Sequence, residues 1–188
     1  MICTDLHEAI KAKGDGKVKL HLGCGGTKWK DFINIDFYPH DNDTADSSRY
    51  GCVADVFADI RSLDLPENSV DEMFTSHTFE HFTRWEAIDM LTDWYRMLKP
   101  SGTLIVETPD FWRCVIWLFH PSAKKRHLGW TQFYGNQWDR LDFETHRYVW
   151  SAGEISKTCK KIGFSKVFIT HKTETHCKFR DMRIVATK

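Results

Sequence analysis

Two stretches in the first third of the chain combine residue types that suit a nucleoside-containing ligand. Residues 18–22, in which apolar and polar side chains alternate, run directly into a turn at residues 23–26, which reads Gly-Cys-Gly-Gly. A turn with few side chains lets the backbone approach a ligand closely. Asp36 ends the next apolar run, and a carboxylate at the tip of a strand can accept hydrogen bonds from both hydroxyls of a ribose. The pairing predicts a pocket for a cofactor that contains a nucleoside.

Residues 77–81 carry further reactive groups and read His-Thr-Phe-Glu-His. This spacing matches a zinc-binding pattern, but such a site needs a further ligand and a helical setting, and this segment follows a predicted strand. We therefore expect no metal. An imidazole is half-protonated at about pH 6.5, which makes His81 the first candidate for a catalytic base. The other candidates are Glu80, His77 and His146. Glu80 and His81 have an alternative role as a structural pair that locks the loop, and His146 has a structural alternative too.

The composition indicates one globular domain. The chain has 188 residues, of which 41% are hydrophobic and 28% charged, and these values are ordinary for a single core. Its 26 basic and 26 acidic side chains balance, whereas a nucleic-acid groove usually needs a basic surface. None of the six cysteines forms a C-x-x-C pair, and the first residues do not resemble a signal peptide. We expect a cytoplasmic protein with reduced thiols and with no nucleic-acid or membrane partner.

The elements that must position the candidate groups alternate along the chain in an α/β pattern. The predicted strands are residues 18–22, 32–36, 53–60, 70–75 and 103–106, with a closing hairpin of 167–170 and 183–187. Helices are predicted over residues 1–13, after Thr83 and after Ser151, and each of the latter two residues begins a capping box with a glutamate three positions later. Strands that alternate with helices form a sheet with ligands at the carboxyl ends of its strands. We interpret the polar residues 38–50 as a loop.

The connection between the first two strands is unusually short. Only residues 27–31 separate the glycine turn from the next apolar run, whereas a crossover between parallel strands normally takes a dozen or more residues and includes a helix. About nine extended residues span about 30 Å, so a parallel return is possible without a helix. A missing helix removes the positive N-terminus that a pyrophosphate needs. The short connection therefore favours a cofactor without phosphate.

We expect residues 111–145, which are rich in aromatic side chains, to form an irregular insertion within a single domain of residues 1–188. Such a segment would be a lid that builds the substrate pocket and excludes water. The alternative is a small additional core that covers the edge of the sheet.

Together these motifs resemble those of the class I S-adenosylmethionine-dependent methyltransferases, in particular a small subfamily with a shortened first crossover. The motifs that carry the resemblance are residues 20–25, 33–36, 58–60, 65–71, 79–82, 97–103 and 163–164. The resemblance covers nearly the whole chain. It implies an α/β, Rossmann-like methyltransferase fold, with a mostly parallel twisted sheet, helices on both faces and a C-terminal antiparallel hairpin.

The resemblance also implies which residues bind S-adenosylmethionine and its product S-adenosylhomocysteine: Gly23, Cys24, Gly25, Asp36, Asp59, Ile60, Ser76 and His77. The glycine turn would line the methionine moiety through its backbone, and Asp36 would hold the ribose hydroxyls. Asp59 would accept a hydrogen bond from the adenine amino group, with Ile60 against the ring. Ser76 and His77 would lie beside the sulfonium.

The chain departs from the family at His21, because many members have an acidic residue two positions before the first glycine. We expect O- or N-methylation of a small molecule or saccharide, by in-line attack of the acceptor atom on the activated methyl group. Two alternatives remain open at this point. One is a dinucleotide-dependent oxidoreductase, which uses the same order of strand, glycine turn and acid. The other is a non-catalytic protein that binds S-adenosylmethionine.

Overall fold

A computed structural model describes residues 5–14, 16–37, 52–135, 144–175 and 178–188. The strands are β1 (Lys19–Leu22), β2 (Ile33–Asp36), β3 (Val56–Phe57), β4 (Val70–Ser76), β5 (Leu98–Pro109), β6 (Lys166–Thr170) and β7 (Asp181–Thr187). The helices are α1 (Leu6–Lys11), α2 (Arg84–Met97), α3 (Phe111–Leu118), α4 (Ala123–Tyr134) and α5 (Ala152–Ile162). A short 3₁₀ turn covers Phe79–His81.

The seven strands described form one sheet in the order β3-β2-β1-β4-β5-β7-β6. Strands β1 to β5 are parallel to one another, whereas β7 is antiparallel to both β5 and β6. The topology confirms the predicted mostly parallel sheet with a closing antiparallel hairpin. It brings the carboxyl ends of β1, β2, β4 and β5 to one edge of the sheet.

The first crossover contains no helix, as its length predicts. Residues 23–32, all of which are described, form turns between β1 and β2. The side chain of Asn34 holds this connection, because its Oδ1 accepts the N–H of Trp29 at 2.9 Å and its Nδ2 donates to the carbonyl of Trp29 at 3.1 Å. The indole of Trp29 stacks on Phe74 with ring centroids 4.2 Å apart. One aromatic ring thus packs on the sheet where a crossover helix would ordinarily do so.

Two strands differ in length from the prediction. The third strand is confined to Val56–Phe57, because the backbone turns at Asp59, whose carbonyl accepts the N–H of Ser62 at 3.1 Å. The fifth strand is longer than residues 103–106 and covers Leu98–Pro109, because β4 pairs with it on one side and β7 on the other. Residues 38–50, which the sequence assigns to a loop, lie outside the described residues.

The expectation that residues 111–145 are irregular is wrong for most of that range, which forms the helical pair α3 and α4. Asp110 caps α3 by accepting the N–H groups of Trp112 and Arg113. Gly129 lets the helices approach closely, because a Cβ there would lie 3.1 Å from the backbone nitrogen of Leu118. The abundance of aromatic residues hides a helical repeat in the sequence. Residues 136–143 lie outside the described part.

The two predicted capping boxes have different outcomes. At Thr83 both halves form, since the hydroxyl accepts the N–H of Glu86 and the Glu86 carboxylate accepts the N–H of Thr83. At Ser151 only the hydroxyl half forms. The Glu154 carboxylate instead accepts hydrogen bonds from the Tyr148 hydroxyl at 2.9 Å and from Arg84 at 2.8 Å. This glutamate therefore links α2, α5 and the segment that precedes α5.

No described helix combines the length and the apolar character that crossing a membrane requires. The described cysteines are Cys24, Cys52, Cys114 and Cys159, and none is in a disulfide. Three of them are buried, which agrees with the predicted packing role, and only Cys52 is exposed.

Candidate active site

The glycine turn and Asp36 form one hydrogen-bonded unit at the carboxyl ends of β1 and β2. The N–H groups of Gly23 and Cys24 both donate to the carbonyl of Ile35. The N–H of Gly25 donates to Asp36 Oδ2 at 2.5 Å, and the N–H of Phe37 donates to Oδ1 at 2.7 Å. An ionised carboxylate accepts about four hydrogen bonds, so Asp36 is oriented by the backbone and keeps acceptor capacity for two ribose hydroxyls.

The glycine turn is tightly packed at its first glycine and open at its second. Gly23 has a φ of +70°, and a Cβ there would lie 2.3 Å from Thr78 Oγ1, so the turn after β4 packs directly on this glycine. Gly25 has a φ of +50°, and a Cβ there would meet no atom within 4 Å. Burial raises the pKa of the Cys24 thiol, which keeps that side chain neutral. The turn thus presents open space beside a carboxylate and backbone polar groups.

Asp59 is already engaged by a neighbouring cation. Its carboxylate accepts the backbone N–H of Arg61 at 2.9 Å and the guanidinium at 2.6 Å. These hydrogen bonds from Arg61 hold the pKa of Asp59 below its usual range. The side chain of Ile60 is buried, and its carbonyl accepts the indole N–H of Trp94. A hydrogen bond from Asp59 to adenine therefore has to share the carboxylate with Arg61, and it stays a prediction.

His21 is part of the packing of the sheet. Its side chain is buried, and its Nδ1 lies 3.1 Å from the Asn34 amide oxygen. The ring centroids of Trp29 and Phe74 lie 5.4 Å and 5.3 Å from that of His21. Burial lowers the pKa of His21, so the imidazole is neutral at pH 7. The position that is acidic in many methyltransferases thus belongs to the aromatic cluster that replaces the missing helix.

Ser76 belongs to a buried polar chain that sequence reasoning missed. Its hydroxyl lies 2.5 Å from that of Thr175, which in turn donates to the fully buried Glu107. Glu107 also accepts the N–H of Glu174 and a guanidinium N–H of Arg183. Burial alone would raise the pKa of Glu107, but these hydrogen bonds hold it below its usual range. The only signal of this network in the sequence was Glu107, an acidic residue that follows the apolar run of β5.

His77 is held at both ring nitrogens. Its Nδ1 lies 2.9 Å from Glu80 and its Nε2 lies 3.0 Å from Asp181, and both carboxylates are fully buried. Arg180 also donates to Asp181. Burial would lower the pKa of His77, but the two carboxylates raise it to about 9. At pH 7 the ring is therefore an imidazolium without a lone pair, which suits a structural ion pair better than a catalytic base.

The side chains of His81 and His146, 65 positions apart in the sequence, meet edge to face, with ring centroids 4.8 Å apart. Nδ1 of His81 lies 3.2 Å from the carbonyl of Thr145, and Nδ1 of His146 lies 2.8 Å from the carbonyl of Gln132. A carbonyl can only accept, so both Nδ1 atoms carry a proton and donate it. In a neutral imidazole this tautomer leaves the lone pair on Nε2. Burial lowers the pKa of His81, which leaves it neutral at pH 7.

Glu80 joins this histidine pair. One potential ligand atom from each of Glu80, His81 and His146 lies within 4.8 Å of the other two. Against the effect of burial, His77 holds the pKa of Glu80 well below its usual range. Glu80 also accepts a hydrogen bond from Thr108 at 3.1 Å. The structure thus places all four predicted catalytic candidates in one cluster, with His77 attached through Glu80.

An aromatic cleft of about 410 Å³ lies beside this cluster. Its lining residues come from α3, α4, the segment before α5 and the first turn of α5, and they are Phe111, Trp112, Phe133, Arg147, Tyr148, Val149, Ser151 and Glu154. The backbone N–H groups of Arg147 and Tyr148 donate to the carbonyl of Glu80. The wall of the cleft is therefore tied to the turn that carries His81. Its volume lies within the usual range for small-molecule pockets.

Comparisons with known proteins agree with this geometry. The sequence model of the methyltransferase-domain family matches residues 13–106, which is half of the chain. No curated protein matches the chain. A SAM-dependent methyltransferase from Archaeoglobus fulgidus is 16% identical, with 97% of this chain and 91% of that one covered and a TM-score of 0.60.

Two further solved structures show the same fold. A possible histamine N-methyltransferase from Thermotoga maritima is 18% identical, with coverages of 96% and 86% and a TM-score of 0.56. The 1,6-didemethyltoxoflavin-N1-methyltransferase of Burkholderia thailandensis, solved with S-adenosylhomocysteine, is 14% identical, with coverages of 95% and 73% and a TM-score of 0.58. The family match favours the methyltransferase prediction over the oxidoreductase alternative. The chain belongs to the methyltransferase-domain family and is a class I S-adenosylmethionine-dependent methyltransferase.

Proposed function

We propose that this enzyme methylates a hydroxyl or amino group of a small molecule or saccharide that binds in the aromatic cleft. The observation that carries the proposal is the cleft itself, where Phe111, Trp112, Phe133 and Tyr148 lie beside the turn of Glu80. Aromatic faces bury the apolar face of a sugar or a planar ring, while Arg147 at the rim offers hydrogen-bond donors. The cleft is of a size for a compact acceptor.

In the proposed cofactor site, the backbone of Gly23, Cys24 and Gly25 would line the methionine moiety and Asp36 would hold the ribose. Asp59 and Ile60 would meet the adenine, and Ser76 and His77 would lie beside the sulfonium. S-adenosylmethionine supplies the activated methyl group. The contribution of the chain is then to hold the acceptor in line with that group, and positioning of this kind is worth about 7–11 kcal/mol in favourable cases.

His81 is the proposed base for a hydroxyl acceptor. It is neutral at pH 7, its Nδ1 donates to the carbonyl of Thr145, and its Nε2 makes no hydrogen bond to any described residue. A base of this kind accelerates transfer by about 10²- to 10⁴-fold. Glu80 and His146 then act by orienting His81.

We also propose that residues 1–188 form one domain in which α3 and α4 act as a lid. Asp110 fixes the start of α3 immediately after β5, so the helical pair begins at the carboxyl edge of the sheet. Trp112 lines the cleft and is 64% exposed, which suits a side chain that becomes buried against an acceptor. A closed lid would exclude water from the reacting groups.

The names of two structural relatives agree with a small acceptor. One acts on 1,6-didemethyltoxoflavin and the other is a possible histamine N-methyltransferase, so both names refer to compact nitrogen compounds. At 14% and 18% identity these relatives share the fold, and the acceptor of this enzyme has to be found by assay.

The test is transfer of a labelled methyl group from S-adenosylmethionine to panels of saccharides, phenols, amines, RNA and unfolded protein. We expect labelled product with a member of the first three panels. Trp112→Ala should raise the KM for that acceptor about tenfold, through loss of aromatic contact, with the KM for S-adenosylmethionine unchanged. Phe168→Ala is the matched control, because this aromatic side chain is 65% exposed on β6 and does not line the cleft. Transfer to RNA or protein alone would overturn the proposal.

A further inference from the structure

The cluster of Glu80, His81 and His146 has the composition of a divalent-metal site. Two imidazoles and one carboxylate offer ligand atoms within 4.8 Å of one another. From the sequence alone we expect no metal at the H-x-x-E-H pattern, because such a site needs a helical setting and a further ligand and the segment lies in a turn after a strand. In the folded chain, His146 supplies that ligand from the segment that crosses over Glu80.

The hydrogen bonds of the two histidines are also typical of metal ligands. Each Nδ1 faces a backbone carbonyl, of Thr145 and of Gln132, at 3.2 Å and 2.8 Å. Histidine ligands in metal sites almost always donate their second ring N–H to a carbonyl or a carboxylate, which fixes the tautomer and the ring orientation. In a neutral ring this tautomer leaves the lone pair on Nε2, and neither Nε2 atom has a hydrogen bond to any described residue.

We propose that Glu80, His81 and His146 bind one divalent transition-metal ion, for which Zn²⁺ is the best suited. Two imidazole nitrogens and one carboxylate oxygen are a common zinc ligand set, in which the fourth position is left to water or substrate. Such a mixed set disfavours Mg²⁺ and Ca²⁺, which prefer oxygen ligands alone. The buried carboxylate of Glu80 supplies negative charge to the site.

The geometry needs only a local adjustment to hold the ion. Ligands about 2.0–2.1 Å from a tetrahedral zinc ion lie about 3.4 Å from one another, so the ligand atoms would approach by about 1.5 Å at most from their present 4.8 Å. His146 is partly exposed and lies in a segment without helix or strand, so a small shift of this segment would bring its Nε2 closer while Nδ1 keeps its hydrogen bond to Gln132. Glu80 keeps its bonds to His77 and Thr108, because each carboxylate oxygen has a second lone pair.

The effect of this metal on methyl transfer rests on the base that is proposed above. A His81 ring that binds zinc through Nε2 cannot also accept a proton there. Zinc would therefore compete with the base and slow methyl transfer at metal concentrations that fill the site. Metal binding itself does not depend on the identity of the acceptor, so the two proposals can fail separately.

The experiment is zinc titration of chelator-treated full-length protein, with bound zinc measured by calorimetry and by elemental analysis. We expect one zinc ion per chain. His146→Ala should lower zinc affinity at least 100-fold, whereas His146→Cys should retain it, because a thiolate is also a zinc ligand. His127→Ala is the control, since this histidine is exposed on α4 and lies outside the cluster. Thermal unfolding and S-adenosylhomocysteine affinity check that each variant is folded.

A competing zinc site is formed by Cys24, Asp36 and Cys52, whose ligand atoms also lie within 4.8 Å of one another. Loss of zinc in Cys52→Ser, with retention in His146→Ala, would overturn the proposal. Cobalt substitution of the wild-type protein gives an answer that needs no variant, because thiolate ligands add a strong charge-transfer band that nitrogen and oxygen ligands lack. Zinc binding that leaves methyl transfer unaffected would refute the base role of His81 and leave the metal site standing.

Discussion

The imidazole of His77 lies 2.9 Å from the carboxylate of Glu80, which is fully buried. The opposite ring nitrogen contacts Asp181, which is also fully buried, so one imidazolium is shared by two buried anions. The backbone of His77 has a φ of +51°, a conformation that L-residues seldom adopt. The ion pairs thus hold the turn after β4 in the conformation that presents His81.

Replacement of His77 should destabilise the fold rather than only slow catalysis. His77→Gln leaves the buried carboxylate of Glu80 without its cation and leaves Asp181 with Arg180 alone. Removal of one partner from a buried ion pair costs about 3–5 kcal/mol. The free energy of unfolding from urea titration measures the effect. His127→Gln, at an exposed position on α4, should change it by less than about 0.5 kcal/mol. Equal stabilities of the two variants would contradict the ion-pair role.

The raised pKa of His77 predicts that the free energy of unfolding falls at alkaline pH. The pKa of His77 is about 9 in the folded chain and about 6.5 in an unfolded one, so the folded state binds the proton more tightly. The resulting stabilisation is complete below about pH 6.5 and is lost as the pH rises through about 9. The free energy of unfolding, measured from pH 6 to 10, should therefore fall over this window. His77→Gln should lack this component of the decline.

Asp36→Ala should abolish measurable binding of S-adenosylhomocysteine. The substitution removes the predicted acceptor for the ribose hydroxyls and also frees the N–H of Gly25. Two hydrogen bonds to a charged group are worth about 3 kcal/mol or more, which corresponds to a loss of about 100-fold or more in affinity. Calorimetry measures the affinity for S-adenosylhomocysteine, and Asp89→Ala, at an exposed position, is the control. Unchanged affinity would refute the cofactor role of Asp36.

His81→Ala should separate chemistry from cofactor binding. We expect the affinity for S-adenosylhomocysteine to stay within about twofold, because the glycine turn and Asp36 are untouched. With a hydroxyl acceptor, kcat should fall by about 10²- to 10⁴-fold through loss of the base. Single-turnover kinetics at saturating cofactor measures this step. A normal kcat would make His81 a structural residue.

Gly23→Ala should disturb the contact between the glycine turn and the turn after β4. The added Cβ would overlap the side chain of Thr78, and the φ of +70° is strained for alanine. Overpacking of this kind costs about 1–3 kcal/mol, visible as a lower melting temperature and weaker S-adenosylhomocysteine binding. Gly153→Ala, in α5 with no atom within 4 Å of the new Cβ, should leave both unchanged.

Features that depend on neighbours in the sequence were predictable. Five residues between two apolar runs exclude a crossover helix, and the first capping box at Thr83 forms as the spacing predicts. Helices α3 and α4 were missed because aromatic side chains, including the exposed Trp112 and Phe119, obscure the apolar repeat of a helix. Because these aromatic side chains are exposed, their positions in the sequence do not mark the buried face of a helix.

Long-range partners explain what was missed in the site. Asp181 lies 104 positions from His77, and Thr145 lies 64 positions from His81. No local pattern indicates such pairs, because they depend on how β7 and the segment before α5 return to the sheet. The ion pair of Asp59 and Arg61, in contrast, joins two residues that are close in the sequence. Such a pair is visible in the sequence, and Arg61 competes with a ligand for the carboxylate.

The short crossover also has a consequence for how the chain folds. His21 and Asn34, which pair across β1 and β2, are only 13 positions apart, whereas Thr103 of β5 pairs with Thr187 near the end of the chain. Closing a short loop costs less chain entropy, and local contacts favour rapid folding. Parallel strands usually pair slowly, yet the partners in the parallel pair of β1 and β2 are almost as close in the sequence as those of a hairpin.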